Sequence, residues 1–194
     1  GQAGIPAYLE DYAYLTAGLI DLYEATFAER YLQAAVRFAR AAIDRFYDGA
    51  GSFYLTPAGG EALIHRPKDV ADSSTPSGAA VTVMNLLRLI PFTGEERFRE
   101  VAEAVFRAYA GHMEQMPMAM ATLLQALDLY LSGPTEVTLV GPVPGDWLEG
   151  LGRLYLPNLV LTRIDGPRDD APIWAGKQSV AGAPTGYVCL SFAC

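Results

Sequence analysis

The sequence predicts a mainly α-helical chain built from repeated helical hairpins, followed by a small α/β unit. An aromatic residue recurs in similar surroundings, so that Tyr31 corresponds to Phe98 at a shift of 67 residues and Tyr23 corresponds to Tyr130 at a shift of 107. The two shifts differ by 40 residues, and a helical period near 40 indicates an α-solenoid or an α/α toroid. After residue 134, β-branched residues replace the helical periodicity.

The composition indicates a packed core and argues against several kinds of partner. Of the 194 residues, 51% are hydrophobic and 19% are charged, which is typical of a folded domain rather than a disordered one. A net charge of -8 with scattered basic residues argues against nucleic acid, because phosphate binding needs clustered Lys and Arg. No segment approaches the roughly 20 apolar residues of a membrane span.

The cellular location is predicted from the N-terminus and the cysteine count. Gly1–Pro6 lacks the basic region and apolar run of a signal peptide. The chain has two cysteines, too few for a disulfide scaffold. We therefore expect a cytoplasmic, reducing environment.

The first predicted hairpin pairs a helix over 9–25 with a helix over 28–47. In both, apolar residues recur at three- and four-residue spacing. The next segment, 51–75, is predicted as a β-hairpin-like insertion. Within it Ser52–Thr56 alternates like a strand, and Ala62–Ile64 is the returning strand.

Three further helices complete the predicted helical region, which spans residues 1–133. Pro76-Ser77-Gly78 opens the first of them. Pro91–Gly94 is predicted as the turn that follows it, with Thr93 as the N-cap of the next helix. The three helices span about 76–90, 95–112 and 117–132.

The predicted C-terminal unit spans residues 134–194. Glu136–Gly141 and Asn158–Arg163 have the β-branched character of strands, and a short helix is predicted between them over 146–155. This order predicts a βαβ unit with parallel strands. A third strand is predicted over Tyr187–Phe192.

Carboxylates lie near the predicted starts of the helices that would line a toroid cavity. Glycoside chemistry needs one acid to protonate the leaving oxygen and a second group as base or nucleophile. The candidate catalytic residues are Asp11, Asp72 and Glu10. Two alternatives stay open: Glu10 and Asp11 as helix N-terminal charges favoured by the macrodipole, and Asp72 as a cap or a partner of Arg66.

Polar residues beside these carboxylates are candidate ligand contacts. Tyr12 is predicted as a stacking or hydrogen-bonding wall. Arg66 and Lys68, fixed by the intervening proline, are predicted as polar clamps, or alternatively as part of an internal salt-bridge network. The complete set of predicted substrate-binding residues is Tyr12, Arg66, Lys68, Asp69, Ser77 and Gln115.

The two cysteines give a redox alternative. Cys189 and Cys194 would point to opposite faces of one continuous strand, beyond disulfide reach, whereas a turn between them would bring them together. Both buried thiols and a redox role therefore stay open. The sequence has no H-x-x-H or H-E-x-x-H motif, so neither a metal nor a cofactor is predicted.

Several short motifs occur in a fixed order along the whole chain. They are Leu9–Ala13, Arg66-Pro67-Lys68-Asp69, Asp72 with Pro76-Ser77-Gly78, Asn85–Leu89, Glu114–Pro117, and Tyr187-Val188-Cys189 with Phe192 and Cys194. Together they resemble the C-terminal part of the spermatogenesis-associated protein 20 family, also called thioredoxin-domain-containing proteins.

The resemblance implies an architecture. Proteins of that family have a thioredoxin-like domain with a C-x-x-C motif, followed by a six-hairpin α/α toroid like those of glycosidases and N-acylglucosamine 2-epimerases. The resemblance implies that this chain is about half of such a toroid followed by a small α/β unit, without the thioredoxin-like domain. A half-toroid exposes apolar helix faces, which usually indicates a partner.

These observations predict binding or processing of a carbohydrate-type ligand at the toroid rim, within a larger protein or an oligomer. An active enzyme of this kind would be glycosidase-like or sugar-epimerase-like. The expected partners are a sugar or another polar small molecule, and either the missing N-terminal toroid half with its thioredoxin-like domain or a second copy of the chain. Two alternatives are a non-catalytic protein-interaction module and a redox accessory that uses Cys189 and Cys194.

Overall fold

A computed structural model describes residues 6–59 and 64–190 of the chain. These residues form six α-helices and a small three-stranded mixed sheet near the C-terminal end, which confirms the mainly helical class. The closure of the helices into a toroid stays a prediction. The helices are α1 (Leu9–Thr26), α2 (Glu29–Phe46), α3 (Gly78–Thr93), α4 (Glu96–Gln115), α5 (Ala121–Ser132) and α6 (Gly145–Gly152), and the strands are β1 (Thr135–Val140), β2 (Leu159–Ile164) and β3 (Thr185–Leu190).

The chain forms two compact units. The first contains the residues up to Leu87 together with Glu95–Asp128, and the second contains Arg88–Gly94 together with the residues from Leu129 onward. The predicted organisation, with helical hairpins over 1–133 and a separate unit over 134–194, stays a prediction.

In the first unit, α1 packs against α2. The connection between them is short, as in a helical hairpin. The core side of α1 is formed by residues at three- and four-residue spacing, as the periodicity predicted. They are Leu9, Ala13, Thr16, Ile20 and Tyr23. The helix ends at Thr26, and the C-cap residue Phe27 has a φ of 55° in the left-handed region, a common way for a helix to stop.

The predicted turn at Pro91–Gly94 is wrong, because α3 continues through Pro91 to Thr93. The Thr93 hydroxyl donates to the Leu89 carbonyl at 3.0 Å, within α3. Thr93 therefore belongs to the last turn of α3, and the residue at the N-cap position of α4 is Glu95. Gly94, with a φ of 62°, ends α3 in the left-handed conformation that glycine adopts without strain.

The segment predicted as a strand, Ser52–Thr56, forms a single antiparallel bridge between Phe53 and Tyr47. The Asp48 side chain stabilises the turn before this segment. Its Oδ1 accepts the backbone N–H groups of Ala50 and Ser52 at 2.8 and 2.9 Å. Ala62 and Leu63 of the predicted returning strand lie outside the described residues, so the insertion as a hairpin stays a prediction.

The second unit contains the sheet, in the order β2-β1-β3. The central strand β1 pairs in parallel with β2, from Thr135 opposite Leu159 onward, and α6 lies between these two strands in the chain. This confirms the predicted βαβ unit. The third strand, β3, pairs antiparallel with β1, and residues 191 and 192 of its predicted extent lie outside the described residues.

Within the described parts of the chain, no helix combines the length and the apolar character needed to cross a membrane.

Candidate functional site

A small polar cleft lies in the first unit, between the beginning of α1 and the loop that leads into α3. Three residues predicted from sequence, Glu10, Asp69 and Ser77, line it together. The full lining is Glu10, Asp69, Ala71, Ser73, Thr75, Pro76, Ser77 and Gly78. Two carboxylates and three hydroxyls therefore share one small recess.

A glycine holds the beginnings of α1 and α3 close together. A Cβ atom on Gly78 would lie 2.9 Å from Glu10 Cγ and 3.3 Å from both the Cα and the backbone N of Glu10. Two further contacts join α1 to α3 and its preceding loop: the Tyr14 hydroxyl donates to the Pro76 carbonyl, and Asn85 Nδ2 donates to the Ala13 carbonyl at 2.8 Å. Gly78 thus sets where the Glu10 side chain can lie.

Ser77 is buried and caps the beginning of α3. Its hydroxyl oxygen accepts the backbone N–H of Ala80 at 3.2 Å, the geometry of an N-cap serine. The same hydroxyl lies 3.5 Å from the Asp69 carbonyl oxygen, to which it donates. Ser77 therefore contributes to the cleft wall while it stabilises the helix that forms this wall.

The Asp72 carboxylate joins this loop to α5 and does not line the cleft. Its Oδ1 accepts the backbone N–H of Ser77 at 2.8 Å, and its Oδ2 accepts that of Thr122 at 2.8 Å. The backbone N–H of Asp72 donates to the Ala119 carbonyl at 2.7 Å. These contacts agree with the capping alternative rather than with pairing to Arg66, and a catalytic role for Asp72 stays a prediction.

We expect Asp72→Ala to lower the free energy of unfolding by about 2 kcal/mol, because two backbone N–H groups lose a charged acceptor. Asp72→Asn retains one acceptor oxygen and should cost about half as much. Urea denaturation of the two variants measures both values. Equal stability of Asp72→Ala and the unchanged chain would contradict the structural role.

Asp11 lies at the beginning of α1, where its Oδ2 accepts the backbone N–H of Tyr8 at 2.8 Å. This is the helix-terminal role that the sequence left open. Glu10 is exposed and lines the cleft. Of the three predicted catalytic carboxylates, Glu10 is thus the one at the cleft.

Two predicted ligand contacts lie away from the cleft lining. The Tyr12 ring packs edge-on against Phe38 and Phe46 of α2, with centroid distances of 5.8 and 5.2 Å, so it fills the α1–α2 interface. Gln115 is the exposed last residue of α4. Neither is among the residues that surround the recess.

Arg66 and Lys68 both lie over the ring of Tyr54, with the guanidinium carbon 3.8 Å and the ammonium nitrogen 4.6 Å from the ring centroid. Arg66 Nη2 also donates to the Thr56 carbonyl at 2.6 Å. Lys68 Nζ pairs with Asp48 Oδ2 at 2.5 Å. This arrangement agrees with the predicted internal network, and an anion or sugar clamp stays a prediction.

The Asp48–Lys68 pair changes the pKa of both groups. Burial raises the pKa of the Asp48 carboxyl, but the hydrogen bonds from Lys68 and from the backbone N–H groups outweigh it and leave the pKa below its ordinary value. The hydrogen bond to Asp48 raises the pKa of Lys68. Both groups therefore stay charged at neutral pH and attract each other.

Ser73 and Thr75 are cleft residues that the sequence reasoning missed. The signal was present as a run of hydroxyl residues, Ser73-Ser74-Thr75, immediately before the helix start at Pro76-Ser77-Gly78. Hydroxyl residues before a helix are also typical of ordinary helix caps. The run alone therefore does not identify Ser73 and Thr75 as cleft residues.

Cys189 lies on β3, is 1% exposed, and is not a free thiol. Cys194 lies outside the described residues. The redox role of this pair stays a prediction.

The chain is similar to much longer proteins. It is 29% identical to human spermatogenesis-associated protein 20 over 198 residues and 30% identical to the mouse protein of the same name over 198 residues; each alignment covers 96% of this chain and 25% of the relative. It is 28% identical over 200 residues to the uncharacterized protein B0495.5 of Caenorhabditis elegans, across 100% of this chain and 27% of that protein. No protein-family model matches the chain.

These alignments establish that the chain is homologous to part of much longer proteins, since it spans about a quarter of the length of the curated relatives it matches. The homology to spermatogenesis-associated protein 20 confirms the resemblance seen in the motifs.

Proposed function

We propose that the chain binds a carbohydrate-type ligand in the cleft between α1 and α3, as part of a larger protein. The convergence of Glu10, Asp69 and Ser77 on one polar recess supports this proposal. Sugars present many hydroxyls, and carboxylate and hydroxyl side chains are the groups that hydrogen-bond them. If the cleft is catalytic, Glu10 and Asp69 are the carboxylates for the acid and base roles of a glycosidase-like or epimerase-like reaction.

In this proposal the cleft lies at the rim of an α/α toroid, and helices outside this chain complete the toroid. The outer side of α1 supports it, because Leu15 and Leu22 are 48% and 46% exposed. A Cβ on Gly18, between them, would meet no described atom within 4 Å. Exposed apolar residues at this spacing form a stripe that a neighbouring helix covers. In this proposal that helix belongs to the remaining length of a longer protein, which would also contain a thioredoxin-like domain, rather than to a second copy.

The same stripe favours a second candidate, a non-catalytic interaction module. Asp11 and Asp72, both proposed earlier as catalytic groups, are occupied by backbone N–H groups. A scaffold whose polar residues stabilise loops would use them in this way, and its working surface would be the apolar stripe on α1.

Thermal unfolding against a panel of mono- and disaccharides tests the first candidate. A ligand at 100 times its Kd stabilises the folded state by about 2.7 kcal/mol, and we expect at least one sugar to raise Tm accordingly. Gly78→Ala should abolish the shift, since the added methyl group must displace Glu10.

Gly18→Ala is the matched control, because its methyl group enters open space on the same helix as Glu10; it should keep the full sugar response. Circular dichroism establishes that each variant is folded, and Glu10→Gln replaces Gly78→Ala if that variant does not fold. The absence of any sugar response in the unchanged chain would reject the first candidate and favour the interaction module.

A further inference from the structure

The lining of the cleft is negatively charged. Glu10 and Asp69 supply two carboxylates, and no lysine, arginine or histidine is among the lining residues in the described part of the chain. Asp69 Oδ1 accepts the backbone N–H of Ala71 at 3.0 Å, a contact that leaves its negative charge without a counter-charge. A ligand in this recess therefore meets uncompensated negative charge.

The cations closest in sequence to Asp69 are held by other groups. Lys68 pairs with Asp48, and Arg66 donates to the Thr56 carbonyl while it stacks on Tyr54. An acidic ligand would therefore need these two side chains to leave existing partners before they could neutralise it.

Helix N-termini commonly attract anions because they carry a partial positive charge. The partial charges at the beginnings of α1 and α3 therefore oppose the negative charges of the two carboxylates. One donor at each terminus is in use: Asp11 accepts the backbone N–H of Tyr8, and Ser77 accepts that of Ala80. Each helix terminus carries only about half a positive charge, whereas Glu10 and Asp69 each carry a full negative charge. The carboxylates dominate this balance.

We propose that the cleft selects sugars by charge: it favours an amine-bearing sugar over a neutral one and disfavours sugars that carry a phosphate or a carboxylate. This inference rests on the proposed function and specifies the class of its ligand. A protonated amine within about 4 Å of a carboxylate gains roughly 1 kcal/mol even at the dielectric constant of water, and a carboxylate or phosphate loses a similar amount. Together these effects correspond to a difference in Kd on the order of tenfold or more.

Glucosamine, glucose and glucuronic acid at pH 6 form a matched set of probes, since they share one ring and differ in charge. Calorimetric titration at low salt should give Kd values that rise in this order, with about tenfold or more between glucosamine and glucuronic acid. Because the preference is electrostatic, it should shrink at 0.5 M salt.

Glu10→Gln and Asp69→Asn should each reduce the preference, and Asp69→Asn keeps the acceptor for the Ala71 N–H. Glu100→Gln, the same change on an exposed residue of α4 outside the lining, should leave it unchanged. Equal or tighter binding of glucuronic acid, or a preference that both cleft variants retain, would overturn the charge selection while sugar binding stands. A complete lack of binding by all three sugars would reject the proposed function as well.

Discussion

Replacing Lys177 by methionine is expected to lower the free energy of unfolding by about 2–3 kcal/mol, because a buried carbonyl oxygen loses a charged hydrogen-bond donor. The second unit buries two opposite charges: Glu136 on β1 is 2% exposed and Lys177 is 6% exposed. Lys177→Met removes the ammonium donor from the buried Ile173 carbonyl and the attraction that Lys177 exerts on the Glu136 carboxylate. Urea denaturation near pH 7 measures the loss.

The surroundings of Lys177 explain why the loss cannot easily be relieved. Its ammonium group donates to the Ile173 carbonyl at 2.6 Å, and the Thr138 hydroxyl donates to the same carbonyl at 3.0 Å. The neighbouring Trp174 donates through Nε1 to the Thr162 hydroxyl at 2.9 Å. These hydrogen bonds hold the Lys177 ammonium group at the Ile173 carbonyl within a packed polar network.

The pair also gives stability a definite dependence on pH. Burial raises the pKa of Glu136, and the attraction of Lys177 only partly offsets this effect. Burial lowers the pKa of Lys177, and the attraction of Glu136 only partly offsets it. Stability from Glu136 is therefore lost as pH rises from its unfolded pKa, about 4.3, through its folded pKa. Stability from Lys177 is lost as pH falls from about 10.4 through its lowered folded pKa.

The matched control is the double variant Glu136→Leu with Lys177→Met. Replacing two buried opposite charges by apolar residues is often neutral or stabilising, so the double variant should be more stable than Lys177→Met alone, and it should lose this pH dependence. If Lys177→Met alone were as stable as the unchanged chain, the charges could not be coupled as the structure indicates.

Local patterns predicted the helices well because each helix is encoded by its own periodicity. The core side of α1, from Leu9 to Tyr23, follows three- and four-residue spacing. The βαβ unit was likewise predictable, since strand, helix and strand follow one another with short connections. Thr93 was misassigned because threonine is common at N-caps, while its hydroxyl here bonds within the preceding helix.

The residue types near the candidate cleft could be read from the sequence, whereas the contacts they make could not. Lys68 pairs with Asp48, 20 residues away, and Asp72 bonds the backbone of Thr122, 50 residues away. No local pattern encodes such contacts, because they depend on how the elements pack. The sequence predicted carboxylates near the helix starts, and the three-dimensional structure separates Glu10, at the cleft, from Asp11 and Asp72, which accept backbone N–H groups.

Gly51→Ala is expected to be the second large loss, about 4 kcal/mol or more. Gly51 has a φ of 103°, a conformation that residues with a side chain rarely adopt. A Cβ there would also lie 2.5 Å from the Ala104 carbonyl oxygen and 3.0 Å from Ala108 Cβ, both on α4. Backbone strain and a collision with a helix backbone are each established causes of large destabilisation.

The turn around Gly51 has little freedom to move away from α4. Asp48 holds the backbone N–H of Ser52 on one side, and the Ser52 hydroxyl lies 2.6 Å from the Tyr109 hydroxyl of α4 on the other. Gly49→Ala separates the two causes, since Gly49 has a φ of 77° but no described atom within 4 Å of an added Cβ. It should therefore cost only the backbone strain, about 1 kcal/mol. Denaturant unfolding measures the free energy of unfolding of both variants. If Gly49→Ala and Gly51→Ala lost the same amount, the turn would move away from α4 freely. That result would contradict the contacts that hold the turn there.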